Sequence, residues 1–257
     1  MQKLPFRFSA AMLLPAVLFA ACLVFTSAAS LGQSAKAKPQ KLRVLFITGE
    51  DHPAHLWREI GPVLRNTLNA DAAVDCRIAE DLEFLATDVV NDYNVILFYF
   101  KNYAPLKRND RAKKNLMEFV ENGGGLGLIH FSCGAFEDWK EFEQFAGRVW
   151  EPKKRAHDPY GKFTVHYVDS EHSITKGLSD FEITDELYTC LRDSQEPIHV
   201  LAQAVSKVDN KPYPMVFVLE KGKGRIFHTT LGHDVKAVSS DGFKNLLPRA
   251  VLWLGKQ

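Results

Sequence analysis

Between residues 41 and 130, short unbroken apolar runs alternate with longer amphipathic stretches, and no other feature constrains the fold as strongly. Residues 41–48 (Lys-Leu-Arg-Val-Leu-Phe-Ile-Thr) form the first run and stop at Gly49. Unbroken apolarity over so short a span suits a strand covered on both faces. Residues 56–68 then carry Leu56, Ile60, Val63, Leu64 and Leu68 at the spacing of one helix face. Residues 74–78 and 94–100 read as second and third strands. Residues 111–121 form a second amphipathic helix, stopped by Gly123-Gly124-Gly125, and residues 126–129 follow as a fourth strand. Alternation of this kind predicts a mostly parallel sheet with helices on both faces, a three-layer α/β sandwich.

The later half is richer in strands. Residues 163–168, 198–204, 214–219 and 225–231 all have strand character, and Gly222 and Gly224 suggest a hairpin turn between the last two. Residues 243–254 supply a closing helix. With no internal repeat and no long linker, the expectation is one doubly wound domain over residues 41–257 with a β-rich C-terminal extension.

Ligands in open α/β sheets gather beyond the carboxyl ends of the strands. There the first strand runs out at Thr48-Gly49-Glu50-Asp51-His52, with His55 close behind. The third ends at Lys101-Asn102-Tyr103, the fourth at His130, and the late strand at Gly232-His233-Asp234. Four strands therefore deliver histidine, lysine or carboxylate to one rim. His130 sits where a sharp turn would lift its ring into solvent, and Asp234 stands beside His233 to fix its tautomer. His52 and His55 read equally well as loop polars, and His55 as a helix cap. His157, His166, His199 and His228 have weaker claims, the last three alternating within strands as packed or surface residues. Asp185 and Glu186 adjoin Tyr188; the pair is either a solvated turn or a source of acid–base or metal-ligating groups. A divalent metal is compatible with these residue types, but no H-E-x-x-H spacing names a ligand set.

Cys133 lies three positions past the turn that His130 occupies, and Ser132-Cys133-Gly134 lacks nucleophile-elbow spacing. A thiol nucleophile is therefore disfavoured. Gly123-Gly124-Gly125 precedes a strand rather than following one, which makes it a helix stop and not a dinucleotide motif. The formal net charge of +1 gives no basic face for nucleic acid. Lys3 and Arg7, the apolar stretch 10–25 and the small residues 26–30 have the three-part form of a secretory signal, with residues 31–40 as a flexible leader. Export to the periplasm or medium follows, with no membrane span left after cleavage. The remaining Cys76, Cys133 and Cys190 form no disulfide framework, since their number is odd and their spacing wide, and a single bridge between two of them stays open in an oxidising compartment.

Four segments together resemble the ThuA-like (trehalose-utilisation) family: Gly-Gly-Gly-Leu-Gly-Leu-Ile-His ending at His130, Glu-His-Ser-Ile-Thr-Lys-Gly-Leu from Glu171, Phe-Glu-Ile-Thr-Asp-Glu-Leu-Tyr ending at Tyr188, and Gly-Lys-Gly-Arg-Ile-Phe-His-Thr-Thr-Leu-Gly-His ending at His233. Ser173 stands where the family usually has proline, which weakens a role for His172. The resemblance implies a flavodoxin-like, class I glutamine-amidotransferase-like fold. It also implies that His130 occupies the place of the amidotransferase nucleophilic cysteine and His233 that of its histidine, so thioester chemistry would be absent. Its substrate class would be carbohydrate, including disaccharides and their keto derivatives. On that basis His130, His233, Asp185 and Glu186 are candidates for proton transfer or metal binding. His55, Lys101, Tyr103, Tyr188 and Asp234 are candidates for holding a sugar. A sugar enzyme, a non-catalytic sugar-binding protein and an interaction domain remain open, and the sequence specifies no oligomeric state.

Overall fold

In the computed structural model, which describes residues 40–256, the apolar runs become the middle of one nine-stranded sheet. β1 (Leu42–Ile47), β2 (Val74–Ala79), β3 (Val95–Phe98) and β4 (Gly125–Ile129) are parallel, with α1 (Trp57–Asn69) and α2 (Asn109–Glu121) as crossovers. Two minor elements follow, α3 (Phe142–Ala146) and β5 (Arg148–Val149); β5 pairs only with β8 (Arg192–Asp193). The other late strands are β6 (Gly161–Tyr167), β7 (Phe181–Asp185), β9 (His199–Val205), β10 (Pro212–Lys221) and β11 (Gly224–Thr229). Strand order is β2-β1-β3-β4-β11-β10-β9-β6-β7. β11 lies parallel to β4, and the β10–β11 hairpin expected at Gly222 then reverses direction. β10, β9, β6 and β7 continue antiparallel, so the β-rich half extends the same sheet. α4 (Val235–Val238) and α5 (Asp241–Leu254) close the chain.

Period-two alternation sorts the strands' side chains into two apolar layers. Val44 and Phe46 of β1 face one cluster with Ile60, Leu64 and Leu68 of α1 and Leu247 and Val251 of α5. Leu45 and Ile47 face the other, with Leu116 and Val120 of α2. This is the expected three-layer sandwich. Residues 99 and 100, read as part of the third strand, leave the ladder but stay fully buried. β7 was not expected: its residues were read around a turn, yet Phe163↔Ile183 and Gly161↔Asp185 pair in register with β6. Cys76, Cys133 and Cys190 are all free. No helix among the described residues is long and apolar enough to cross a membrane. The expected signal segment, residues 1–30, and the leader up to residue 39 lie outside the described residues.

β11 also buries a titratable group within the apolar layer. His228 is fully buried, with Nδ1–H donating to the Ala146 carbonyl at 2.8 Å and Nε2 left without a hydrogen-bond partner. Burial pushes its pKa down to about 4. In the unfolded chain an imidazole titrates near 6.5, so below that pH the unfolded state takes up a proton that the fold resists. His228 should therefore cost about 2 kcal/mol of stability between pH 7 and pH 5. Urea unfolding of His228→Leu, whatever its stability at pH 7, should show a correspondingly shallower decline over that range. An unchanged slope would reject the assignment.

Candidate functional site

β1, β4 and β11 end on the same edge of the sheet, with β3 between the first two, and each strand end redirects the chain so that a histidine turns inward. After β1, Gly49 takes φ +124°, where a Cβ would stand 2.3 Å from the Glu80 carbonyl oxygen; only glycine lets the backbone pass there. The loop then places His52 and His55 ahead of α1. β4 breaks at His130 itself, whose φ of +54° is rare for a residue with a side chain. That elbow does not lift the ring into solvent as expected: His130 is fully buried. β11 ends before Gly232-His233, and this loop is gripped from two sides. Tyr99, just past β3, donates its hydroxyl to the carbonyls of Gly232 and His233 at 3.0 and 3.2 Å. Asp185, the last residue of β7, accepts the N–H groups of Gly232 and His233 at 2.7 and 3.1 Å.

The result is one cluster of His55, His130, Glu186 and His233, whose donor atoms all lie within 4.8 Å of one another. The hydrogen bonds around it fix the tautomers. His130 Nδ1 lies 2.7 Å from the Thr230 carbonyl, which can only accept, so Nδ1 carries a proton, and whenever the ring is neutral Nε2 is a lone pair. His52 Nδ1 accepts the Ala54 N–H at 3.1 Å, so His55 Nδ1, 2.8 Å away, must be the donor. His55 Nε2 is then also a lone pair. These two Nε2 atoms face each other at 3.1 Å. Glu186 Oε2 stands 3.5 Å from His130 Nε2 and 3.1 Å from His233 Nδ1. His233 Nδ1 is nevertheless buried without an aligned hydrogen bond, so nitrogen and carboxylate point to a common space rather than at each other.

Electrostatics sharpen this picture. Burial, reinforced by the His130, His52 and His233 rings, pushes His55 down to about 2, so it stays neutral. Burial opposes the charge on Glu186, but the imidazoles of His130 and His233 outweigh it and hold the carboxyl below its ordinary range. Burial likewise opposes protonation of His233, and Glu186 outweighs it, raising the ring's pKa. The neutral His55 ring and the ionised Glu186 carboxylate thus face the His130 and His233 nitrogens across one space. Atoms bonded to a common ion at about 2.0–2.1 Å in tetrahedral arrangement lie about 3.3 Å apart. The observed separations of 3.1, 3.5 and 3.1 Å bracket that spacing.

The other expected residues fall differently. Asp185 is fully buried and spends its oxygens on backbone N–H groups, including that of Glu186 at 2.8 Å. Burial raises its carboxyl's pKa, although His130 and those N–H groups pull the other way. It braces the loop beside the cluster. Asp234, expected against His233, instead caps α4 through the Ala237 N–H at 2.8 Å and accepts the Tyr160 hydroxyl at 2.7 Å. Tyr188 is a buried wall whose ring centre lies 4.5 Å from that of His130. Lys101 pairs with Glu137 at 2.7 Å, and Tyr103 lies exposed and stacked on His52 at 6.2 Å. Cys133 is buried, and burial pushes its thiol up to about 12, the reverse of an activated nucleophile. His157 had a weak claim in the sequence, yet its Nε2 reaches within 3.5 Å of Glu186 Oε1. Its Nδ1 donates to the Asp158 carbonyl at 2.8 Å.

A parallel sheet core flanked by helices, with histidine rather than cysteine at the elbow, defines a flavodoxin-like protein of glutamine-amidotransferase-like type. The chain belongs to the ThuA family: the family model, described as trehalose utilisation, matches residues 43–254. That description ties the family to a carbohydrate-related role. A ThuA-like protein from Parabacteroides merdae is 23% identical, with a TM-score of 0.73 covering 84% of this chain and 90% of that one. A second, from Bacteroides uniformis, is 20% identical, with a TM-score of 0.68 over 87% and 95% of the two chains. A cytoplasmic protein from Salmonella typhimurium is 14% identical, with a TM-score of 0.60 over 82% and 99%. These likenesses show a shared fold. Comparison with curated proteins gives no match.

The division of labour between the adjacent acids is testable. Asp185→Ala strands three backbone N–H groups and should destabilise the metal-free protein by roughly 3 kcal/mol in urea unfolding. Glu186→Gln should change it by no more than about 1 kcal/mol. Equal losses would contradict the assignment.

Proposed function

We propose that the protein is an exported, divalent-metal-dependent enzyme of carbohydrate metabolism, with His55, His130, His233 and Glu186 as ligands. The observation that carries this reading is the meeting of His55 Nε2 and His130 Nε2 at 3.1 Å beside an ionised carboxylate. Such a cluster needs a positive charge at its centre, a shared proton or a cation, and a proton on His55 is opposed by burial. The outer nitrogens are spoken for as ligand-orienting bonds should be: His52 holds His55, and the Thr230 carbonyl holds His130. The family's description, trehalose utilisation, supports a sugar, glycoside or keto-sugar as substrate.

A divalent ion in such a site polarises substrate oxygens and acidifies bound water. The chain's own residues supply the rest. Glu186 and His233 are the partly exposed members, with side chains 12% and 14% accessible, so substrate approaches from their side. His157 stands at that opening with Nδ1–H tied to the Asp158 carbonyl, leaving Nε2 to accept or return a substrate proton. Lys101 and Tyr103 offer a cation and an exposed ring to sugar hydroxyls and faces. Buried Tyr188 closes the space beneath His130.

Elemental analysis of purified protein should find about one divalent ion per chain, lost in His130→Ala and in Glu186→Gln. His52→Ala should weaken metal affinity roughly 10–100-fold, as loss of an orienting partner does elsewhere. Turnover of plain or 3-keto disaccharides should disappear on chelation and return with added metal. It should fall at least about 100-fold in Glu186→Gln. Saturable sugar binding with no turnover by metal-loaded protein would instead make this a binding protein. Export rests on the form of residues 1–30. Mass spectrometry of protein recovered outside the cytosol should find a mature N-terminus near Ser30, and an intact Met1 would refute cleavage.

A further inference from the structure

Next to His55 lies a cavity of about 370 Å³ that the proposed metal chemistry does not use. His52, Pro53, His55, Leu56 and Trp57 line it. Its volume falls within the roughly 300–1,000 Å³ of small-molecule sites. His55 belongs both to this wall and to the histidine cluster, so the two spaces share a residue. The rings of His233, His55 and His52 follow one another at 5.0 and 4.4 Å, and His52 borders the cavity. One glycoside, with its sugar at the cluster, is long enough to place its other end in the cavity.

The chemistry of the wall decides what that other end is. A second sugar ring calls for several side chains with donors and acceptors to spare, and here most are taken. Asp51 accepts the Trp57 indole N–H at 2.8 Å and also pairs with Arg58, whose guanidinium lies 4.2 Å from the Trp57 ring. His52 Nδ1 accepts from the Ala54 N–H and from His55. Among the described residues only the exposed Glu59 carboxylate and His52 Nε2 are left in this wall without a hydrogen bond, too few for a ring of hydroxyls. The apolar surface, by contrast, lies open. Leu56 is 50% exposed, and Tyr103, whose ring lies parallel to that of His52 at 6.2 Å, is 61% exposed. Only seven large apolar side chains are exposed among the described residues, and these two gather at His52. Apolar surface left open beside a polar centre marks a place for an apolar group.

We infer that this cavity holds an apolar aglycone, so that the substrate is an alkyl or aryl glycoside or its keto derivative, with the sugar at the histidine cluster and the aglycone against Pro53 and Leu56. The inference rests on the carbohydrate reading above, but not on the metal. Calorimetric titration of the mature chain with methyl, hexyl and phenyl glucosides of both anomers, with trehalose and with benzyl alcohol, tests it. For one anomer, the hexyl or phenyl glucoside should bind about tenfold or more tighter than the methyl glucoside and than trehalose. Two buried methylenes supply roughly that factor. Leu56 is the N-cap of α1 and makes no capping hydrogen bond, so serine, a favoured N-cap, should fold there without loss. Leu56→Ser should weaken the apolar glucoside about fivefold and the methyl glucoside less than twofold, while Leu56→Met keeps the preference. Equal affinity for hexyl, phenyl and methyl glucosides would overturn the aglycone site and leave the carbohydrate reading standing. So would tighter binding of trehalose, or a preference that survives Leu56→Ser unchanged. Benzyl alcohol binding as tightly as phenyl glucoside, and weakened by Leu56→Ser, would instead sink the sugar and leave the apolar site standing. Binding of none of these ligands would sink both.

Discussion

The hydrogen bond from His130 Nδ1–H to the Thr230 carbonyl, 2.7 Å long and wholly buried, is what the rest of the site is built around. It spans the parallel pairing of β4 and β11, whose register (Leu128↔His228, Ile129↔Thr229) brings His130 opposite Thr230. The left-handed backbone at His130 costs on the order of 1 kcal/mol, and the surrounding sheet must over-determine it. In return one ring nitrogen is fixed as a donor and the other is aimed at His55. Every other member of the cluster is placed relative to that fixed point. Tyr99 and Asp185 grip the loop that carries His233, and His52 turns His55 to face His130.

Much of this was legible in the sequence because the parallel strands are unbroken apolar runs that end abruptly. A run such as Asn-Val-Ile-Leu-Phe can only be a buried strand, and polar residues directly after such runs must sit on one rim. That logic located His55, Lys101, His130 and His233 without coordinates. It failed on direction. A histidine after a strand was expected to point to solvent, but a ring whose two nitrogens have partners can be buried at little cost. Sequence shows the position and not the partners.

The adjacent acids show a different limit. Read as a turn, Asp185 and Glu186 look equivalent. Read as the end of β7, Phe181, Ile183 and Asp185 alternate toward one side, and Asp185 follows the buried pattern of Ile183. Its carboxylate is tolerated there because backbone N–H groups of a distant loop meet it, a fact that no local pattern contains. Glu186, one residue beyond the strand, escapes the alternation and joins the imidazoles. His157 was unreadable for a related reason: it pairs with Tyr188 in an isolated bridge between irregular segments, where neither helical nor strand periodicity operates.

The composition of the cluster bears on what a bound ion could do. Three imidazole nitrogens and one carboxylate are borderline donors, suited to first-row transition ions more than to magnesium or calcium, which prefer all-oxygen surroundings. Four protein donors fill a tetrahedron, the arrangement of closed structural zinc sites, whereas catalytic sites keep a position open. The fold does not need a structural ion, since the apolar layers on both faces of the sheet already bury a core of ordinary size. The cluster also lies at the strand ends, with Glu186 and His233 partly open to solvent, where an ion adds little to packing. Both considerations favour a role for such an ion in binding substrate or water over a role in holding the fold. Cysteine at the same elbow serves the amidotransferase fold as a nucleophile. Buried histidine with its inner nitrogen pinned cannot take that role, and its other nitrogen, when unprotonated, is suited to holding a cation.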